Sequence, residues 1–179
     1  VTTMEAMFSG CTSLQNVDTS NWDLKNLRSV SNMFYNCSSM TEIAFQNKNF
    51  YFSSVGSFIR DCTNLKTIDF TGCKFYSCKT GGFWSNLTCG GRSCPNVEKV
   101  ILKDTTFYTE YNVSDNFSTM FLYCPAKMID IRGLKLTSTS AGVSYEAMFN
   151  ECSNLTSIFG LDALGDYSHI TSLCGMFYN

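Results

Sequence analysis

The string Met33-Phe34-Tyr35-Asn36-Cys37-Ser38-Ser39-Met40, followed by Ile43, returns along the whole chain and constrains its fold more than any other feature. It recurs as Met7-Phe8-Ser9-Gly10-Cys11-Thr12-Ser13-Leu14 with Val17, and as Met148-Phe149-Asn150-Glu151-Cys152-Ser153-Asn154-Leu155 with Ile158. Looser copies are Phe58-Ile59-Arg60-Asp61-Cys62-Thr63-Asn64-Leu65 and Met120-Phe121-Leu122-Tyr123-Cys124, and Cys94-Pro95-Asn96-Val97 keeps only the second half. The in-phase cysteines Cys11, Cys37, Cys62, Cys94, Cys124 and Cys152 stand 26, 25, 32, 30 and 28 residues apart. A period of about 20 to 30 residues with paired aliphatic positions is in the leucine-rich-repeat range, one short strand and one return per repeat.

After each cysteine, apolar sets such as Met40, Ile43, Phe45 and Leu65, Ile68, Phe70 place their last two members on one face of a strand. Before each cysteine, apolar residues fall three apart, as in Leu27, Val30, Met33; Phe52, Val55, Phe58; and Ile170, Leu173, Met176. That spacing predicts a short helical segment. One repeat cannot bury both faces, whereas stacked neighbours share a continuous core. The expected fold is therefore an α/β solenoid of leucine-rich-repeat type, with six to seven rungs and a short parallel sheet on its concave face. Residues 1–179 read as one such solenoid, with Trp22 and Leu24 covering the bottom of the stack. An irregular Cys- and Gly-rich insertion is expected at about 71–93, where Gly72, Gly81, Gly82, Gly90 and Gly91 signal turns. Both ends fall in the same phase without a polar cap. They predict a segment of a longer chain, or ends that bury against copies of the same chain.

The strings Val17-Asp18-Thr19-Ser20-Asn21-Trp22-Asp23 and Val30-Ser31-Asn32-Met33-Phe34-Tyr35-Asn36-Cys37 resemble the BspA-like repeat of bacterial surface proteins. The resemblance spans almost the whole chain, is best in the first two repeats and at 143–158, and is poor between 72 and 92. Trp22 stands where that family usually has Phe. The resemblance implies a cell-surface or secreted protein associated with adhesion, as in bacteria and mucosal protists.

Charge narrows the partners. Thirteen basic and 15 acidic residues give a net charge of -2 without runs, unlike the clustered basic face of a nucleic-acid binder. No stretch approaches the ~18 consecutive apolar residues of a membrane span. Ten cysteines suit an oxidising, extracellular setting. The six in phase predict a column of packed thiols, although rungs at about 4.8 Å would also admit disulfides between them. Four others, Cys73, Cys78, Cys89 and Cys174, are off phase. Cys73-x4-Cys78-x10-Cys89-x4-Cys94 invites either a disulfide cluster or, less well matched to ligand pairs two to four apart, zinc.

No catalytic constellation is legible, and an enzyme is not expected. The single histidine, His169, has only Cys174 nearby and no signature around either residue. Asp18, Asp69 and Asp130 share one strand phase, but Ala44 and Ile101 separate them. No metal and no cofactor is implied. The candidate ligand surface is the concave strand row, carrying Asp18, Glu42, Asp69, Lys99 and Lys103. Exposed aromatics are expected at Phe75, Tyr76, Phe83 and Trp84 and at Tyr108 and Tyr111. Asn36, Asn86, Asn112, Asn116 and Asn154 open Asn-x-Ser/Thr triplets. Asn36 and Asn154 lie inside the repeat and read as structural, which leaves Asn86, Asn112 and Asn116 as glycan candidates. The expected function is an adhesion or protein–protein interaction module that meets proteins or surface glycans. The alternative is a structural subunit stacking end to end into a fibre.

Overall fold

A computed structural model describes residues 1–51, 55–76, 93–109, 117–138, 143–165 and 170–179. The chain winds as a parallel β-solenoid. Strands β1 (Glu42–Ala44), β3 (Thr67–Asp69), β5 (Lys99–Ile101), β7 (Met128–Asp130) and β10 (Ser157–Phe159) form one sheet in that order. Strands β2 (Asn49–Phe50), β4 (Lys74–Phe75), β6 (Thr106–Thr109) and β8 (Lys135–Ser138) form a second. A third pairs β9 (Val143–Ser144) with β11 (Ile170–Ser172). All described pairs are parallel, so like residues of successive repeats stand side by side, as in Ile43↔Ile68↔Val100↔Ile129↔Ile158. The longest sheet has five strands, short of the six to seven rungs expected from the sequence.

The helical half of the α/β expectation is overturned. The only helix among the described residues is a 3-10 helix at Leu161–Leu164. The Met-Phe-x-x-Cys segment is a run of overlapping turns. Alternate amides close locally, Met7 N–H to Met4 O, Ser9 N–H to Ala6 O and Cys11 N–H to Phe8 O. The amides between them cross to the next coil, Ala6 N–H to Ser31 O, Phe8 N–H to Met33 O and Gly10 N–H to Tyr35 O. The next coil repeats this, with Asn32, Phe34 and Asn36 donating to Gly56, Phe58 and Arg60. A helix would keep every amide at i−4, whereas here half of them join coils. The backbone reaches this path through left-handed residues, including Ala6, Gly10, Asn32 and Asn36, which explains asparagine within the motif. A three-residue apolar spacing fits successive turns as well as a helix, because both bring every third side chain inward.

The corner leaving the five-stranded sheet uses the same device. Asn47, Gly72, Asp104 and Gly133 follow one another at φ 56, 70, 54 and 68, and Gly160, directly after β10, is left-handed too at φ 85. A Cβ on Gly72 would come within 2.1 Å of Asn47 Oδ1, and one on Gly133 within 2.2 Å of Asp104 Oδ1. Each polar side chain thus lies over a glycine of the next coil. Residues 71–76, assigned by sequence to the irregular insertion, run as this corner and β4; residues 77–92 lie outside the described residues.

Phenylalanine supplies most of the bulkiest fully buried side chains among the described residues. Phe50, Phe75 and Phe107 stack with centroids 4.8 and 4.9 Å apart. Phe75, expected on the surface, is buried because β4 alternates Lys74 outward and Phe75 inward. Leu24 is buried, and half-buried Trp22 packs edge-on to Phe45 at 6.0 Å.

Candidate functional surfaces

The in-phase cysteines line the turn ladder. Cys37, Cys62, Cys94, Cys124 and Cys152 are buried free thiols, and Cys11 is an exposed one. Four of them donate Sγ–H to a carbonyl of the preceding coil: Cys37 to Phe8 O at 3.0 Å, Cys62 to Phe34 O at 3.0 Å, Cys94 to Ile59 O at 2.7 Å and Cys152 to Phe121 O at 3.0 Å. Phe8 O and Phe34 O also accept a turn amide, so each thiol fills the second lone pair of a buried carbonyl. Burial pushes the Cys37 and Cys152 thiols up to about 11 and Cys124 to about 12, and the Cys94 thiol beside Cys62 helps raise Cys62 as well. Such thiols are packed and hold their protons near neutral pH.

Cys73 belongs to another column. It is buried and free, donating to Phe45 O at 2.6 Å, and Thr105 donates to Phe70 O one coil on at 2.7 Å. Cys73 and Cys94 of the expected disulfide cluster are therefore both free thiols bound to different carbonyls, while Cys78 and Cys89 lie outside the described residues. Cys174 is an exposed free thiol. No group of three or more His, Cys, Asp or Glu side chains that could hold a metal occurs among the described residues. His169, Asn86, Asn112, Asn116, Phe83, Trp84 and Tyr111 also lie outside them. No helix of the described residues is long and apolar enough to cross a membrane.

The outer face of the five-stranded sheet interleaves acid, base and apolar residues. Register places Glu42, Thr67, Lys99, Met128 and Ser157 in one row and Ala44, Asp69, Ile101, Asp130 and Phe159 in the next. The carboxylates serve their own turns. Asp18 accepts Ser20 N–H at 2.9 Å, Asp69 accepts Thr71 N–H at 2.8 Å, and Asp130 accepts Arg132 N–H at 3.1 Å. The Arg132 guanidinium also bonds Asp130, with Nε at 2.9 Å, and holds its carboxyl below the usual range. The side-chain and backbone hydrogen bonds of Ser20 do the same for Asp18. Asp18, Glu42, Asp69, Lys99 and Lys103 form no ion pair with one another among the described residues. They share a surface without converging on a point. An open depression lined by Asp18, Ser20, Gln46 and Lys48 lies at its first coil.

The outer face of the four-stranded sheet differs. Tyr51, Tyr76 and Tyr108 stack in a half-buried ladder, with centroids 4.5 and 4.6 Å apart and ring planes within 5° and 1°. The Arg28 guanidinium sits 5.5 Å from the Tyr51 centroid and is held by the Lys25 and Leu27 carbonyls, both at 3.1 Å. Beside the tyrosines run Asn49, Lys74, Thr106 and Lys135. Burial, then the neighbouring Tyr108 and Tyr51, raises the Tyr76 hydroxyl. The sequence pattern predicts single exposed aromatics and not a ladder. The signal for one is nevertheless there: Tyr51, Tyr76 and Tyr108 are 25 and 32 residues apart, the same intervals as Cys37, Cys62 and Cys94.

The fold and these surfaces define a parallel β-solenoid repeat protein. Residues 1–70 match the family described as Mycoplasma protein of unknown function, DUF285. No curated protein and no solved structure matches the chain.

Proposed function

We propose that the chain is a non-catalytic, BspA-like repeat module of an extracellular or cell-surface protein, working in adhesion or protein–protein interaction. Its partners are proteins or surface glycans. The supporting observation is the pair of outward sheet faces, each a regular grid of in-register side chains on a hydrogen-bonded backbone. A surface that is already ordered loses little conformational freedom on binding. The proposal counts six to seven coils, because the turn segment recurs beyond the five-stranded sheet, at Met4–Cys11 and again at Leu173–Tyr178. Beads coated with the purified chain should adhere saturably to host cells or matrix. Adhesion no greater than that of albumin-coated beads refutes the reading.

A structural subunit stacking end to end is the second reading, in which the turn ladder that joins successive coils continues into a second copy through the face of Phe177. Phe177 stacks on Phe149 at 5.3 Å yet is 54% exposed, and Phe159, Leu173 and Tyr178 are exposed with it. Light scattering that grows with concentration, and stops growing in Phe177→Asp, supports stacking. Monomers at every concentration exclude it.

A further inference from the structure

We propose that the outer face of the four-stranded sheet is a binding site for a linear anionic polysaccharide, a carboxylated or sulfated glycan lying across the strands along the tyrosine ladder. The inference rests on the interaction-module reading above and names the ligand class of one face.

Charge complementarity comes first. The outward positions of the four strands hold Lys74 and Lys135 and no acid. Both lysines are exposed, and neither has an ion-pair partner among the described residues. Arg28 adds a third cation at the end of the ladder, fixed by two carbonyls and the Tyr51 ring. Among the described residues Asp23, which precedes the sheet by one coil, is paired with Lys25 at 2.9 Å. On the other sheet, by contrast, Glu42 stands in the row of Lys99, and Asp69 and Asp130 stand in the neighbouring row.

Geometry then selects the kind of anion. Lys74 and Lys135 are two strands apart, about 10 Å at about 4.8 Å per strand, so they meet alternate charges of an extended chain, not one compact ion. Beside them stand the half-buried Tyr76, next to Lys74, and Tyr108 on the strand between the lysines; their hydroxyls hydrogen-bond one another and offer further lone pairs to sugar hydroxyls. Single-stranded nucleic acid is disfavoured, because its bases need open aromatic faces. Here the rings cover one another at 4.5 and 4.6 Å and Arg28 lies over Tyr51, so among the described residues the outer face of Tyr108, beside Thr137, is the one face of the ladder that neither a ring nor Arg28 covers.

Titration calorimetry of the whole chain with a heparin-derived oligosaccharide tests the site, with dextran and a single-stranded DNA of matched charge as comparators. The oligosaccharide should bind, weaken as salt rises, and lose at least tenfold in affinity in the Lys74→Ala/Lys135→Ala double variant. Tyr76→Phe keeps the stacked ring but removes a hydroxyl, and should cost several-fold. Lys66→Ala/Lys127→Ala removes the same charge from lysines paired with Glu98 and should change affinity less than twofold. Equal loss from the two lysine pairs would mean general charge attraction and overturns the proposal. DNA binding of equal strength and equal Tyr76 dependence overturns it in favour of nucleic acid. If the oligosaccharide fails to bind while coated beads still adhere to cells, this site is wrong and the module reading stands. Failure of both removes the two together.

Discussion

The two main sheets come from the same coil and the same kind of parallel ladder, yet they are filled in opposite ways. The five-stranded sheet turns an aliphatic column inward (Ile43, Ile68, Val100, Ile129) and a checkered set of charges outward. The four-stranded sheet has aromatic ladders on both sides, Phe50, Phe75 and Phe107 inside and Tyr51, Tyr76 and Tyr108 outside. Parallel in-register pairing sets like residues about 4.8 Å apart, close to ring-stacking distance, so an aromatic placed once per coil stacks without further adjustment. Like charges placed the same way would repel. The five-stranded sheet avoids this by alternation, and Asp69 and Asp130 are satisfied locally by Thr71 and Arg132. A parallel solenoid therefore rewards repeated aromatics and requires repeated charges to be broken up.

The sharpest way to break that contrast is Phe75→Ala. Its ring is fully buried and stacked on both sides, and its removal should cost about 3–5 kcal/mol, against about 0.5–1.5 kcal/mol for Ile68→Val in the other sheet. Urea denaturation of both variants decides it, and equal losses would mean that the Phe75 ring contributes less than its burial and stacking on both sides imply.

The corner comes next. A Cβ on Gly160, at φ 85, would approach Arg132 Cα at 2.5 Å, so Gly160→Ala should cost about 2–4 kcal/mol from overpacking and left-handed strain together. Gly10, at φ 75 with nothing within 4 Å, should lose only about 1 kcal/mol on becoming Ala. Thermal melts that rank these two in reverse would show that the corner tolerates a wider turn than its close approach implies.

The smallest effect concerns the third ladder. The Cys37 thiol, ordinarily near 9.0, is pushed by burial to about 11 in the folded chain. Folding thus favours its protonated form: the stability is fully present below pH 9.0 and is lost as pH rises toward about 11. Denaturation midpoints should fall across that window, less steeply in Cys37→Ala. An equal slope in both would remove the thiol from the account. Burial also pushes the Cys73 thiol, immediately before β4, up to about 12, so the comparison with Cys37→Ala is what assigns the window to the turn ladder.

Much of the inward-facing set is legible in the alternation of the sequence. Met40, Ile43 and Phe45, with their counterparts Leu65, Ile68 and Phe70, are buried as that alternation implies, and the outward Glu42 and Lys99 follow from the same rule. The helical expectation fails because three-residue spacing describes inward-facing turns equally well. The surface expectation for Phe75 fails because Gly72 resembles the start of irregular chain, whereas it is a left-handed corner shared with Asn47 and Asp104.

By itself the sequence determined the repeat, its phase and which side chains must be hidden, since period and alternation are one-dimensional properties of the chain. The tertiary structure alone decided where the hydrogen bonds go. Whether Phe34 N–H closes a helix or crosses to Phe58 depends on a neighbouring coil beside it. It also decided that Tyr51, Tyr76 and Tyr108 become one surface: residues 25 and 32 apart in the chain meet only because parallel register brings successive coils within stacking distance.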